Sequence, residues 1–413
     1  FRGDGFACSP ASCGPAAAAA SALPLLGQPP PGYPTVPHST PQGIEELQVA
    51  VLARDHVAVV ARAAASGDSG FLVVGRAGPD GMAWGPWQGF SASTRAFGPV
   101  VAGFPSGRLV LAYRDAQQGG TGYMLGGQLN ATGNLQAVLQ TPQPFVRNLD
   151  QQMALVPLAT ARVACLYAGG GGTSEPFGGI ALVQSGAGGA LGILGKYRFT
   201  DGAHLSEITA TALTPTSFVV GFRVLPDPSS PPGEPSRELS AAWVGMQDSE
   251  LVIGPQPLAL EPDRAGMRAR SVALVSQDLF AYSYESGFER QTKVAIVRVD
   301  PATHRMTVAG GPQNIAQGNI AYVHGVSLPS GPASPKTFTY MQHPGGNSVG
   351  KVCSISPEGR IMACKDVMWA DSELKAVSGS SLSDGQLVFA FANMAGEPFY
   401  QLLGTEESGT QDV

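Results

Sequence analysis

The chain has 413 residues, of which 43% are apolar and 14% charged, with a formal net charge of −6. That is ample material for a core and too little charge for general disorder; Lys and Arg are scattered, so the basic footprint that a phosphate backbone demands is missing and nucleic acid is excluded as a partner. No stretch approaches the ~18 uninterrupted apolar residues of a membrane-spanning helix, and 54 Gly with 34 Pro point to many turns.

The first 31 residues read as a Pro/Ala-rich arm. The chain starts at Phe1 and not at Met, as expected if a leader was removed or the sequence trimmed; secretion would account for the former. Arg2, Gly3 and Asp4 form the tripeptide read by integrin-like receptors, with an unordered tip as the plainer reading. Cys8 and Cys13 bracket a short loop that a disulfide would hold in shape.

A single repeated domain is expected over 32–404. Its mark is an apolar run that returns seven times: HVAVVARA at 56, RLVLAYRD at 108, RVACLYAG at 162, SFVVGFRV at 217, DLFAYSYE at 278, KTFTYMQH at 336 and QLVFAFAN at 386. Spacings near fifty signal a repeat architecture. Each unit reads as four strands. In the second, AFGPVVAGF, LVLAYR, GYMLGGQL and LQAVLQ alternate with the turns PSGR and NATGN. The turn before the fourth strand recurs as AGPDGMAW, LNATGNLQ, VDPATHRM and SPEGRIMA, where Gly, Asn and Asp supply the positive φ of tight hairpins.

Seven four-stranded units resemble the blades of a β-propeller, at superfamily level, which implies an all-β fold of antiparallel blades round a channel. The last unit lacks an apolar fourth strand because the chain ends in a polar tail, 405–413. The segment GYPTVPHST at 32–40 is therefore expected to close the seventh blade. Tyr113, Tyr167, Phe222, Tyr282, Tyr340 and Phe391 occupy corresponding places in six runs and read as packing between blades.

Along the repeats, Asn130 heads the sequon Asn130-Ala131-Thr132 on a hairpin tip, an N-glycosylation candidate. Cys165 reads as a buried small hydrophobe, and the run 168–179 as a strand link, since it lacks the rest of a phosphate loop. DPSSPPGEPS at 227–236, including Pro231 and Pro232, reads as an insertion in the fourth unit and a contact for a partner. Cys353 and Cys364 flank a turn, and register decides whether they meet.

Catalytic motifs are sparse. Sialidases are also propellers and carry SxDxGxxW turns, but only Asp80, Gly81 and Trp84 come near that pattern, one residue short. No GxSxG, HExxH, phosphate-loop or calcium-loop motif occurs, and the Cys and His spacings do not suit zinc. No cofactor or metal is expected and no catalytic residue is assigned. The favoured reading is a secreted or cell-surface glycoprotein whose propeller is a rigid interaction module, a subunit of an extracellular assembly with other extracellular proteins or its own copies as partners. The alternative is a carbohydrate-active propeller, lectin or glycosidase, with glycans as ligands.

Overall fold

The computed structural model describes residues 41–403, apart from short internal stretches of which the longest are 226–237, 262–267 and 329–335. The fold is an all-β propeller built from antiparallel sheets of four strands, with each sheet's first strand innermost. Sheet 1 shows the plan: Ile44–Val51, His56–Ala63, Ser69–Gly78 and Gly81–Trp84 follow one another outward, each paired antiparallel with the last. The repeated run forms the second strand of every sheet. It is apolar at successive positions because both its faces are buried, as in Arg162–Gly169, where all but the first residue is buried.

The innermost strands are Ile44–Val51, Ala96–Gly103, Met153–Leu158, His204–Thr214, Arg268–Ser276, Tyr322–Leu328 and Leu374–Ser381. Each neighbours the next, and the last neighbours the first, so they close a circle. Among the described residues six sheets are complete blades of at least four strands, where the sequence predicts seven. The seventh sheet holds three strands, Leu374–Ser381, Leu387–Asn393 and Pro398–Leu403. Residues 404–413 and the segment expected to close it, 32–40, lie outside the described residues.

A second departure concerns the fourth strands. The sequence predicts one strand over 135–140 in the second unit, but two short pieces, Leu135–Gln136 and Gln143–Val146, both pair with Thr121–Leu129. Pro142 and Pro144 lack the N–H that an uninterrupted ladder would need, and they are tolerated on the outermost edge. Sheets 1 and 4 break their outer strand in the same way.

Aromatic side chains hold the seams between blades. Phe90 of sheet 1 packs on Tyr113 of sheet 2 with ring centroids 5.5 Å apart, Phe145 of sheet 2 on Tyr167 of sheet 3 at 5.6 Å, and Phe199 of sheet 3 on Phe222 of sheet 4 at 5.4 Å. Tyr113, Tyr167, Phe222, Tyr282 and Phe391 are all buried, as packing between blades requires; the Tyr340 side chain lies outside the described residues. Sheet 7 meets sheet 1 through Tyr400, whose ring stands 5.2 Å from that of Trp84 and whose hydroxyl donates to the Met82 carbonyl at 3.3 Å.

The free inner edges are satisfied across the same seams. The Val49 N–H donates to Ser378 Oγ at 3.0 Å, the Val101 N–H to Gln48 Oε1 at 2.6 Å and the Val272 N–H to Thr209 Oγ1 at 3.2 Å. In each pair the acceptor stands on the neighbouring innermost strand, so an amide that no strand can pair is not left bare.

Close backbone approach also fixes the spacing of the sheets. A Cβ on Gly126 of sheet 2 would stand 1.9 Å from the Gly189 carbonyl oxygen in a turn of sheet 3. Gly126→Ala should therefore lower unfolding free energy by about 1–3 kcal/mol, the range for overpacking a close-fitted site. Denaturant titration checks this, and an unchanged midpoint would show that the seam has slack.

Candidate functional site at the channel mouth

Five innermost strands lose register with their partners at the same end. The breaks fall at Ile44/Glu46, Phe97/Val100, Ser206/Thr209, Ala269/Ser271 and Leu374/Ala376. A bulge adds a residue to one strand, bends it and redirects the side chain. The inserted positions include Glu45, Gly98 with Pro99, Glu207 with Ile208, Arg270 and Lys375. Gly98 at φ 56° and Glu207 at φ 55° adopt left-handed backbone to make the detour. Charged and special-geometry residues are thus gathered round one opening of the channel.

Arg62, at the end of the second strand of sheet 1, is the hub of that opening. It is only 7% exposed, yet its guanidinium meets Glu45 at 2.7 Å, Glu46 at 3.1 Å and Asp68 at 2.7 Å, and it lies 4.6 Å from the centre of the Phe97 ring. Burial pulls the Arg62 pKa down, but Glu46, Asp68 and Glu45 outweigh it and hold the pKa above its ordinary value. Burial likewise pulls the Glu45 carboxyl up, and Arg62 and Lys375 reverse this and hold it below the usual carboxylate range. Lys375 of sheet 7 reaches Glu45 at 3.3 Å, and Glu46 Oε2 accepts from the Gly98 N–H of sheet 2 at 2.7 Å. One cluster therefore ties sheets 7, 1 and 2 together. Further round, Arg223 pairs with Glu207 at 3.8 Å.

Below the mouth lies a cavity of about 810 Å³ lined by the innermost strands of six sheets. Its wall is rich in neutral hydrogen-bonding groups, among them Gln48, Gln152, Thr211, Ser271, Ser380 and Ser381, with Phe97 and Arg114 at the rim. Among the described residues the only lining carboxylate is Glu46, and Arg62 and the Gly98 amide already engage it. The described wall suits the binding of a hydroxylated ligand.

The residues singled out in the sequence lie elsewhere. Cys353 and Cys364 are directly opposed on adjacent strands and form a disulfide. Cys165 is buried in the core, and its surroundings push the thiol pKa up. Asn130 is exposed at the end of Thr121–Leu129, where its Oδ1 accepts from the Thr132 N–H at 3.0 Å and the Thr132 hydroxyl at 2.7 Å. Trp84 packs at the seam of sheets 7 and 1, and Asp80 lies outside the described residues. So do Arg2, Gly3, Asp4, Cys8, Cys13, Pro231 and Pro232. Sequence reading missed the mouth, although one signal was present: Arg62, Arg114 and Arg223 occupy the seventh place of HVAVVARA, RLVLAYRD and SFVVGFRV.

No family model and no curated protein sequence matches the chain. Solved structures with the same fold do. The BP39L lectin from Burkholderia pseudomallei is 13% identical, with 88% of this chain and 99% of the lectin covered and a TM-score of 0.53. A protein of unknown function from Dyadobacter fermentans is 12% identical over 90% of this chain and 97% of its own, with a TM-score of 0.50. The Hadza microbial sialidase Hz136 is 7% identical at a TM-score of 0.49, and the chain spans 65% of its length. The first two likenesses show the class, a β-propeller, and the fold alone.

The charge cluster makes a prediction about stability. Replacing Arg62 with Ala strands three partly buried carboxylates and should cost about 2–4 kcal/mol, below the upper values for fully buried pairs because the carboxylates keep some solvent. The Glu45 carboxyl titrates below its unfolded value, so its contribution is present above pH 4.5 and is lost as pH falls below it. Melting curves at stepped pH should show wild type losing stability in that acid window more steeply than Arg62→Ala; parallel curves would contradict the assignment.

Proposed function

We propose that the protein is an extracellular binding module that holds a glycan at the mouth of its channel without cleaving it. The observation that carries this reading is the set of bulges that opens a polar cavity of about 810 Å³ at one end of the innermost strands. A volume in the usual range for ligand sites, walled by hydroxyl and carboxamide groups, matches a ligand rich in hydroxyls. The lectin among the structural neighbours is consistent with it. The Cys353–Cys364 disulfide supports an oxidising compartment, since Cys364 is exposed and a reducing one would keep it open. In that setting the exposed Asn130, with the Thr132 hydroxyl bonded to its side chain, is the acceptor of an N-linked glycan.

A glycan array followed by calorimetry tests this. At least one glycan class should bind and be recovered intact, and Gln152→Ala with Thr211→Val should weaken it about tenfold, the equivalent of one to two lost hydrogen bonds. Release of a cleaved product, or an array without a single binder, would refute the reading. Protein secreted by a glycosylating host should lose mass on Asn130→Gln.

We also propose that segment 32–40 adds the fourth strand of sheet 7 beside Pro398–Leu403, which makes seven blades. Deleting residues 1–40 should then lower the melting temperature by several degrees; an unaltered transition would leave the sheet at three strands.

A further inference from the structure

We infer that Arg114 is the anion-recognition residue of the channel mouth, and that the sugar it holds is acidic, with one negative charge carried as a carboxylate or a sulfate ester. This rests on the glycan-binding reading and narrows it. Arg62, Arg114 and Arg223 stand at the same place in the repeated run of sheets 1, 2 and 4, so the fold directs three guanidinium groups to one end of the ring. Two are already answered by carboxylates: Arg62 by Glu45, Glu46 and Asp68, and Arg223 by Glu207.

Arg114 differs. Among the described residues no carboxylate pairs with it, whereas its buried Nε lacks a hydrogen-bond partner just as the Nε atoms of Arg62 and Arg223 do. The contact it does make is with the Phe97 ring, 5.5 Å from its guanidinium carbon, and Arg62 lies over that same ring at 4.6 Å. Asp115 follows it in sequence but alternates to the other face of the strand, where its Oδ1 accepts from the Gln117 N–H at 2.9 Å. A half-buried cation without an opposite charge is costly to keep. Arg114 also lines the cavity, so a ligand in that cavity is the group placed to supply the charge.

The chemistry of the partner follows from the geometry of the side chain. A guanidinium offers parallel N–H donors that match two oxygens of a carboxylate or sulfate, and ion-assisted bonds of this kind are about twice as strong as neutral ones. Of Arg62, Arg114 and Arg223, Arg114 is the one without a carboxylate among the described residues, so it matches one charge. The Phe97 ring, 5.5 Å from the guanidinium carbon, limits the positions open to the side chain, which lowers the ordering cost of binding. The neutral hydroxyls and amides deeper in the cavity then meet the rest of the ring.

The test uses the whole chain and three probes: sodium glucuronate, galactose 6-sulfate and glucose, titrated at low ionic strength with ligand-observed NMR, alongside array glycans that carry the same units. Wild type should bind at least one acidic probe ten times or more tighter than glucose. Arg114→Gln should bring acidic binding down tenfold to hundredfold, to the neutral level, while Arg114→Lys keeps part of it. Arg76→Gln, remote from the mouth, should match wild type. Arg114→Gln removes an uncompensated charge and breaks no ion pair among the described residues, so its melting temperature should not fall and a loss of binding is not a folding defect. Which acidic probe binds identifies the carboxylate or the sulfate. Glucose binding as well as the acids, or Arg114→Gln binding acids like wild type, would overturn the inference and leave glycan binding standing. If neither class binds in solution or on the array, both ideas fall together.

Discussion

A sheet buried on both faces cannot stand without neighbours, and every other feature of this molecule follows from that requirement. The second strand of each sheet is apolar on both sides, as the fully covered Val163–Gly169 shows, so solvent must be kept from two surfaces at once. Neighbouring sheets do this for each other round the circle. The recurring aromatic contacts, from an outer strand of one sheet to the second strand of the next, place the largest side chains where the sheets diverge and the gap is widest. On the third strand of sheet 2, Gly126 lets backbone meet the turn of sheet 3. At the inner edge, short polar side chains such as Ser378 answer free amides.

That division explains what could be read in the sequence. A run buried on both faces is nearly continuous in apolar residues, so its return every fifty residues or so was visible without any structure, as were the turns with Gly and Asp. The pairing of Cys353 with Cys364 was half visible: a turn placed them on neighbouring strands, but opposition is a matter of register. The broken outer strands were hidden because a strand at the rim is short, solvent-facing and tolerant of proline, and it looks like a loop in composition.

The mouth was harder to read for a different reason. A bulge is a mismatch between two strands, and neither strand alone announces it. Ile44–Glu46 and Leu374–Ala376 become bulges only because their partners, near Ala63 and Asn393, continue in regular pairing. Charges add a second difficulty. The seventh-position arginines formed a legible pattern, yet nothing in the sequence distinguishes Arg62, enclosed by three carboxylates from two parts of the chain, from Arg114, which has none among the described residues. Compensation is a property of three-dimensional neighbours, so the group left free for a ligand emerges only after the occupied ones are accounted for.

The mouth also coincides with the join of the circle. Lys375 belongs to the last sheet, Glu45, Arg62 and Asp68 to the first, and the Gly98 amide and Phe97 to the second, so the cluster that frames the opening also bolts the end of the chain to its beginning. If the cavity holds a ligand, that ligand faces innermost strands of several sheets at once, and these stand together only in the closed ring. Such a ligand binds the closed ring and not the open chain, and by mass action it stabilises closure in proportion to the logarithm of its concentration over its dissociation constant. The rigidity that orients the site and the occupancy that the site awaits therefore reinforce one another at a single seam.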